Sequence, residues 1–209
     1  MSDSNDLVEA LRRRGIADER VLSVIASVDR SRFVPSASAE YAWDDVALPI
    51  AGGQTISQPY IVALMSEALD LRGDETVLEI GTGSGYQAAV LCRLCEHVVT
   101  IERLPELQDD AKRVLSEIGC NNIGYRAGDG TLGSPADAPF DGILVTAGAP
   151  DVPPALYEQL KEEGRLVIPV GPIEQQELVV LEKTPAGPKR RSLCGCRFVK
   201  LIGEQGWRE

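Results

Sequence analysis

A chain of 209 residues, 44% hydrophobic and 25% charged, has ordinary globular composition and enough length to bury a substantial core. Its net charge of −11 argues against binding to nucleic-acid backbones or anionic lipid, so neither nucleic acid nor membrane is expected as a partner. The N-terminal residues are charged and lack the apolar stretch of a secretion signal, and no apolar run is long enough to span a membrane; a cytoplasmic protein is expected.

In chain order, Leu7, Val8 and Leu11, then Val21, Leu22, Val24, Ile25 and Val28, recur at helical spacing and predict two short helices, the second capped by Asp18. Residues 32–50 read as irregular; Tyr41 and Trp43 within them either line a peptide entrance or pack in the core. A glycine-containing loop leads to a helix starting near Pro59, which Ser57 or Gln58 can cap. From residue 76 strands and helices alternate. Residues 76–80, 98–102, 122–126, 142–145 and 165–170 read as strands, with helices over 86–95 and 105–118 and another opening at Pro153-Pro154. This order predicts an α/β fold, a Rossmann-like doubly wound and mostly parallel sheet with extra N-terminal helices. Runs at 177–183 and 192–201, joined by a turn-rich linker, predict a C-terminal antiparallel hairpin. Residues 1–209 are read as one domain: helices and substrate loop over 1–75, a cofactor-binding core over 76–175, and the hairpin over 176–209. A monomer is the default expectation.

Five cysteines, Cys92, Cys95, Cys120, Cys194 and Cys196, are an odd number in a chain that needs no staples, and they read as reduced thiols. Cys92, Cys95, Cys194 and Cys196 resemble a zinc set only loosely, since the first two fall in a predicted helix and the others on one strand face; no metal is expected. Lys189-Arg190-Arg191 reads as a solvated turn. His97, the single histidine, opens a strand far from any serine of interest, which argues against a Ser-His-Asp hydrolase.

The chemistry concentrates in Glu79-Ile80-Gly81-Thr82-Gly83-Ser84-Gly85-Tyr86, placed after a strand and before a helix. Glycines let backbone approach a ligand, and the helix N-terminus offers free N–H groups. The spacing differs from the dinucleotide fingerprint, and Glu79 would repel a pyrophosphate; it suits a cationic ligand with an amino-acid moiety. Glu102, ending the next strand, sits where a carboxylate accepts from ribose hydroxyls. Asp129, in Gly128-Asp129-Gly130, sits where a carboxylate accepts from an adenine amino group. Together they point to an adenosine ligand held by Glu79, Gly81, Thr82, Gly83, Ser84, Gly85, Glu102, Asp129 and Gly130.

Residues 77–86 resemble the first signature of class I S-adenosylmethionine methyltransferases. More narrowly, Leu48-Pro49-Ile50 followed by Gly53-Gln54-Thr55-Ile56-Ser57-Gln58-Pro59 resembles the hallmark of protein-L-isoaspartate O-methyltransferases. Arg32-Phe33-Val34-Pro35, Gly128-Asp129-Gly130, Phe140-Asp141 with Val145-Thr146-Ala147, and Arg197-Phe198-Val199 match that family in the same order. Ala51 and Gly148 depart from it, both small for small.

The resemblance implies S-adenosylmethionine as methyl donor, S-adenosylhomocysteine as product, and isoaspartyl-containing proteins and peptides as acceptors, methylated on the α-carboxylate. It implies substrate contact by Gln54, Thr55, Ile56 and Ser57, with Ser57 orienting the carboxylate; capping of the following helix is the structural alternative for that serine. A carboxylate with a pKa of about 4 is already ionised at neutral pH, so no strong general base is required. Orientation behind the methyl group can supply ~7–11 kcal/mol. The competing readings are a methyltransferase for another acceptor, a non-catalytic adenosine-binding module, and, more distantly, an NAD-dependent oxidoreductase.

Overall fold

The computed structural model describes residues 3–208; Met1, Ser2 and Glu209, part of the predicted domain, lie outside the described residues. Asp3 caps α1 (Ser4–Arg13) by accepting from the N–H groups of Asn5 and Asp6, and Asp18 caps α2 (Glu19–Ser27) by accepting from Arg20 and Val21. The buried residues of both helices, Leu7, Leu11, Val21, Leu22 and Ile25, are the predicted stripes. The stretch read as irregular holds two 3-10 turns, Arg30–Phe33 and Ser36–Tyr41, and the strand β1 (Leu48–Pro49). β1 pairs antiparallel with β2 (Thr55–Ile56), a ribbon too short to show a period in sequence. Pro59 opens α3 (Pro59–Leu69) as expected, but neither Ser57 nor Gln58 caps it through its side chain. Asp45 does so from the preceding loop, its Oδ1 accepting from Tyr60 N–H at 2.8 Å.

β3 (Thr76–Ile80), β4 (His97–Glu102), β5 (Ile123–Ala127), β6 (Phe140–Val145), β7 (Leu160–Val170), β8 (Gln176–Thr184) and β9 (Gly187–Cys196) form one sheet in the order β5-β4-β3-β6-β7-β8-β9. The first five strands run parallel and β8 and β9 complete it antiparallel, the predicted arrangement. α4 (Tyr86–Leu91), α5 (Pro105–Glu117) and α6 (Pro154–Glu158) connect them. Successive strand residues face opposite sides. Val77, Val98, Leu144 and Val167 pack beneath α1 to α5, while Leu78, Ile80, Val99 and Ile143 form a second core under Leu156 of α6 and Leu201.

Several expectations need correction. α4 stops at Leu91, not Cys95, because the Asn122 amide donates to the carbonyls of Cys92, Cys95 and Glu96, drawing them out of helical pairing. Cys92 thereby lies 6.1 Å from Cys120 (Cα–Cα) and is disulfide-bonded to it, so only Cys95, Cys194 and Cys196 are free. β7 begins five residues early, with Glu163 at φ +65° and a register shift against β6. β9 starts at Gly187, which places Lys189-Arg190-Arg191 on an exposed strand rather than in a turn. It also ends at Cys196, because beyond it the backbone of Gly148 takes over: Gly148 N–H donates to Val199 O at 2.7 Å and Leu201 N–H to Gly148 O at 2.8 Å. Among the described residues no helix is long and apolar enough to cross a membrane.

Candidate functional site

Strand order reverses at β3, and the crevice between the carboxyl ends of β3 and β6 is where doubly wound sheets take ligands. The glycine loop leaves β3 there. Gly81 has φ +93°, and a Cβ on it would collide with Thr146 Oγ1 at the end of β6. This approach lets the Thr146 hydroxyl donate toward the carbonyls of Gly81 and Ile80, at 2.7 and 2.9 Å. Gly85, at φ +88°, does not line the main cavity; it lets α4 lie on α5, since a Cβ would come 3.1 Å from that of Ala111.

Beyond the loop opens a cavity of about 630 Å³, lined by Gly81, Gly83, Glu102, Gly128, Gly130 and the segment 197–202. Glu102 is fixed before any ligand arrives. Its Oε2 accepts from Gly83 N–H at 2.9 Å, and Oε1 from the N–H groups of Arg103 and Leu104 at 2.8 and 3.0 Å. Three of roughly four lone-pair sites on a carboxylate are so used, leaving Oε2 able to accept from a ligand hydroxyl. Asp129 is oriented differently from the sequence expectation: its neighbours line the cavity and it does not. Its Oδ1 accepts from Thr131 N–H and Oγ1 at 2.8 and 2.6 Å, and its Oδ2 from Glu204 N–H at 2.7 Å, so it fastens the C-terminal segment. Burial raises the pKa of this carboxyl, but its hydrogen bonds outweigh burial and hold it below the usual range.

Glu79 also lies behind the wall rather than in it. It is fully buried beneath the glycine loop, where Thr100 Oγ1 donates to its Oε2 at 2.5 Å and Thr100 is itself 2.7 Å from the Thr82 hydroxyl. Burial pushes its carboxyl up to about 8; the Thr100 bond opposes that rise and the negative charge of Glu102 adds to it. Burial thus favours the neutral, protonated form of Glu79 as a buttress behind the loop.

A second cavity, of about 370 Å³, lies on the other side of Thr55 and Thr146, which line both. Ser57, Gln58, Asp45, Arg197 and Phe198 surround it. Ser57 Oγ makes no hydrogen bond among the described residues; the residue lines this cavity and a small one of about 40 Å³ that is also lined by Thr82, Ser84 and Ile56. Gln54 lines the larger cavity beside Thr55, its amide donating to Gly52 O at 3.1 Å. Neither Tyr41 nor Trp43 lines any of these three cavities: Tyr41 is exposed and Trp43 packs on the core.

The loop bearing Ser57 is held by a residue the sequence did not single out. Arg30 is completely buried and donates to the carbonyls of Ala42 (2.8 Å), Asp44 (3.4 Å), Val46 (2.8 Å) and Ser57 (3.1 Å). Its guanidinium lies 5.7 Å from the Tyr86 ring, so one cation ties the Ser57 loop to the helix that begins at the glycine turn. Asp45 adds a second brace, accepting from Gln58 Nε2 at 3.0 Å and pairing with Arg14. Thr146 and Arg197 were visible only as parts of family-like segments; their placement at the two strand ends, β6 and β9, was the signal available.

The sheet order, the glycine turn at the switch point and the carboxylate ending β4 define a class I-type methyltransferase fold with two adjoining cavities. Similarity of sequence narrows the class to one family. The family model described as Protein-L-isoaspartate(D-aspartate) O-methyltransferase (PCMT) matches residues 2–206, and the chain belongs to that family. It is 56% identical over 194 residues to protein-L-isoaspartate O-methyltransferase 1 of Syntrophobacter fumaroxidans, covering 93% of this chain and 91% of that protein. A solved protein-L-isoaspartate O-methyltransferase superposes with TM-score 0.87 at 30% identity, over 97% of this chain and 67% of the other. A Plasmodium falciparum structure in complex with S-adenosyl-L-homocysteine shares the fold, with TM-score 0.83 at 24% identity over 97% of this chain and 99% of its own.

Proposed function

We propose that this chain transfers a methyl group from S-adenosylmethionine to the α-carboxylate of L-isoaspartyl residues in proteins and peptides, acting in the cytosol as a monomeric single domain. The observation that carries the reading is the pair of cavities meeting at Thr55 and Thr146, one holding the fixed Glu102 carboxylate and the other the uncommitted Ser57 hydroxyl. The larger cavity falls in the 300–1,000 Å³ range of small-ligand sites. Its residues fit an adenosyl group: Oε2 of Glu102 accepts from a ribose hydroxyl, the backbone of Gly128 and Gly130 bounds the base, and Gly81 and Gly83 face the amino-acid end, with Thr82 and Ser84 of the same turn lining the small adjoining cavity. Glu79 and Asp129 support this site from behind, and Gly85 seats the helix after the turn.

When bound, S-adenosylmethionine supplies a methyl group on a positively charged sulfur, which leaves as the neutral thioether of S-adenosylhomocysteine. The protein has no proton to move, because the acceptor carboxylate is ionised at neutral pH. Ser57 donates to one carboxylate oxygen and leaves the other to form the new bond, while Thr55, Ile56 and Gln54 bound the acceptor chain. Arg30, through the Ser57 carbonyl, keeps that hydroxyl at the junction. Orientation and exclusion of water carry the rate.

The test is methyl transfer from labelled S-adenosylmethionine to two matched peptides, one with L-isoaspartate and one with normal aspartate. Transfer to the isoaspartyl peptide alone is expected. Equal transfer to both, or transfer to neither with the cofactor bound, overturns the proposal.

A further inference from the structure

Arg197 stands where β9 has ended and the chain crosses toward Gly148. Its place is set by its neighbours: Cys196 still pairs with Gln176 in the sheet, and Phe198 N–H donates to Gln176 Oε1 at 2.8 Å. Gln176 is itself buried and donates to the carbonyls of Pro172 and Ile173, at 2.6 and 3.0 Å. The backbone on either side of Arg197 is therefore held, while its side chain is exposed and has no hydrogen bond or ion pair among the described residues. Among those residues it is the one cation lining the second cavity, and it also borders the first. The one acid there, Asp45, is already satisfied by Arg14, Gln58 and Tyr60 N–H. An unpaired arginine beside an uncommitted serine hydroxyl is a local positive charge able to attract an anion, on a chain whose net charge of −11 otherwise repels one.

We propose that Arg197 is the acceptor-selecting residue: it captures the ionised carboxylate of the incoming chain and delivers it to Ser57. This rests on the isoaspartyl reading and deepens it by assigning the charge that recognises the acceptor. A guanidinium commonly grips a carboxylate through both oxygens, which would blunt the nucleophile. Arg197 sits at the exposed rim, so it acts mainly on capture, and one oxygen stays open for the new bond. A rim charge governs association and its salt dependence more than the bonded step. The consequence is a split: loss of Arg197 raises KM for the peptide and leaves kcat and cofactor affinity nearly intact.

The experiment compares wild type with Arg197→Gln and Arg197→Lys, using an isoaspartyl peptide and the same peptide with its α-carboxylate replaced by a carboxamide. Methyl transfer is measured for the first peptide. Binding of both is measured by fluorescence anisotropy with S-adenosylhomocysteine present. Wild type is expected to favour carboxylate over carboxamide by about tenfold, the scale of one partly screened charge-assisted bond. In Arg197→Gln that preference collapses, KM rises by the same factor, and kcat/KM loses much of its salt dependence; Arg197→Lys recovers part of each. A preserved preference in Arg197→Gln overturns the proposal, as does a loss confined to S-adenosylhomocysteine affinity, which would assign Arg197 to the cofactor. Failure of wild type to methylate the isoaspartyl peptide would instead remove the underlying functional reading, and the proposal with it.

Discussion

Replacing Arg30 by methionine tests whether one buried cation organises the acceptor loop. Methionine keeps the apolar stem and removes the donors to Ala42, Asp44, Val46 and Ser57. Hydrogen bonds to a charged group contribute about 1.5–3 kcal/mol each before the desolvation of the cation is set against them. The four acceptors do not suffer equally. Ala42 is buried and cannot recover water, Val46 is exposed and can, and the 3.4 Å contact to Asp44 O is weak. The net loss is therefore set mainly by Ala42 and Ser57, about 3 kcal/mol, or roughly 6–12 °C in Tm for a domain of this size. Loops open before cores do. Limited proteolysis should accordingly cut within residues 42–57 at temperatures where the sheet is still folded, and KM for peptide should rise several-fold while S-adenosylhomocysteine binding changes little. Arg30→Lys should fall between, because one ammonium cannot span all four carbonyls. A melting shift below about 2 °C, with an unchanged peptide KM, would refute the assignment.

Ser57→Ala should lower kcat about tenfold or more, the worth of a hydrogen bond to a carboxylate, and leave cofactor affinity within a factor of about two; unchanged turnover removes Ser57 from catalysis. Glu79→Gln separates a neutral buttress from a ligand carboxylate: cofactor affinity should change little. The pKa of Glu79 is raised on folding to about 8, so its contribution to stability is full below the ordinary carboxylate range and is lost as pH rises toward 8. The Tm of Glu79→Gln should therefore gain on wild type steadily between pH 5 and 8, and a pH-independent difference sinks the assignment. Asp129 titrates the other way. Its depressed pKa means the C-terminal clasp is intact above about pH 4 and is lost as pH falls through the folded value. In a Trp43→Phe background the emission of Trp207, whose indole N–H donates to Gly148 O, should shift red in acid, and Asp129→Asn should show that shift already at neutral pH. Identical acid profiles in the two proteins would count against the clasp.

The sheet was legible because its central strands are apolar on both faces and punctuated by glycine and proline, so β3, β4 and β6 fall within two residues of their predicted bounds. The glycine turn and Glu102 were legible for the same reason, since a strand's end fixes the place of the residues after it. Other parts depend on partners distant in sequence. Arg30 is one of 21 basic residues, and nothing local marks it; its role exists only once residues 42, 44, 46 and 57 converge on it. The disulfide joins cysteines 28 positions apart, invisible to spacing. Asp129 was assigned by position, yet a carboxylate's position does not say where it points, and here Thr131 and Glu204 claim it. The C-terminal boundary failed because residues 197–201 alternate like a strand although Gly148, not the sheet, pairs with them.

That last failure has a packing reason at Gly148. The residue has no Cβ, and one placed there would come 2.9 Å from Gln176 Cδ. The missing methyl makes room for the Gln176 amide, which fixes Phe198 N–H on one side and the turn carrying Ile173 on the other. Phe198 and Ile173 both line the larger cavity, and Phe198 borders the smaller one as well. Sheet and glycine turn thus specify that an adenosyl group can bind, features open to any protein of this fold. On the proposals made above, the acceptor is specified by two irregular segments laid over that sheet, the Arg30-held loop bearing Ser57 and the Gln176-held segment bearing Arg197. Each has a buried anchor, Arg30 or Gln176, that bonds to backbone rather than to another side chain. Apart from Ser57 and Arg197 themselves, exposed residues on either segment are free to vary so long as those two anchors stay, whereas exchanging an anchor should disturb acceptor recognition before it disturbs cofactor binding.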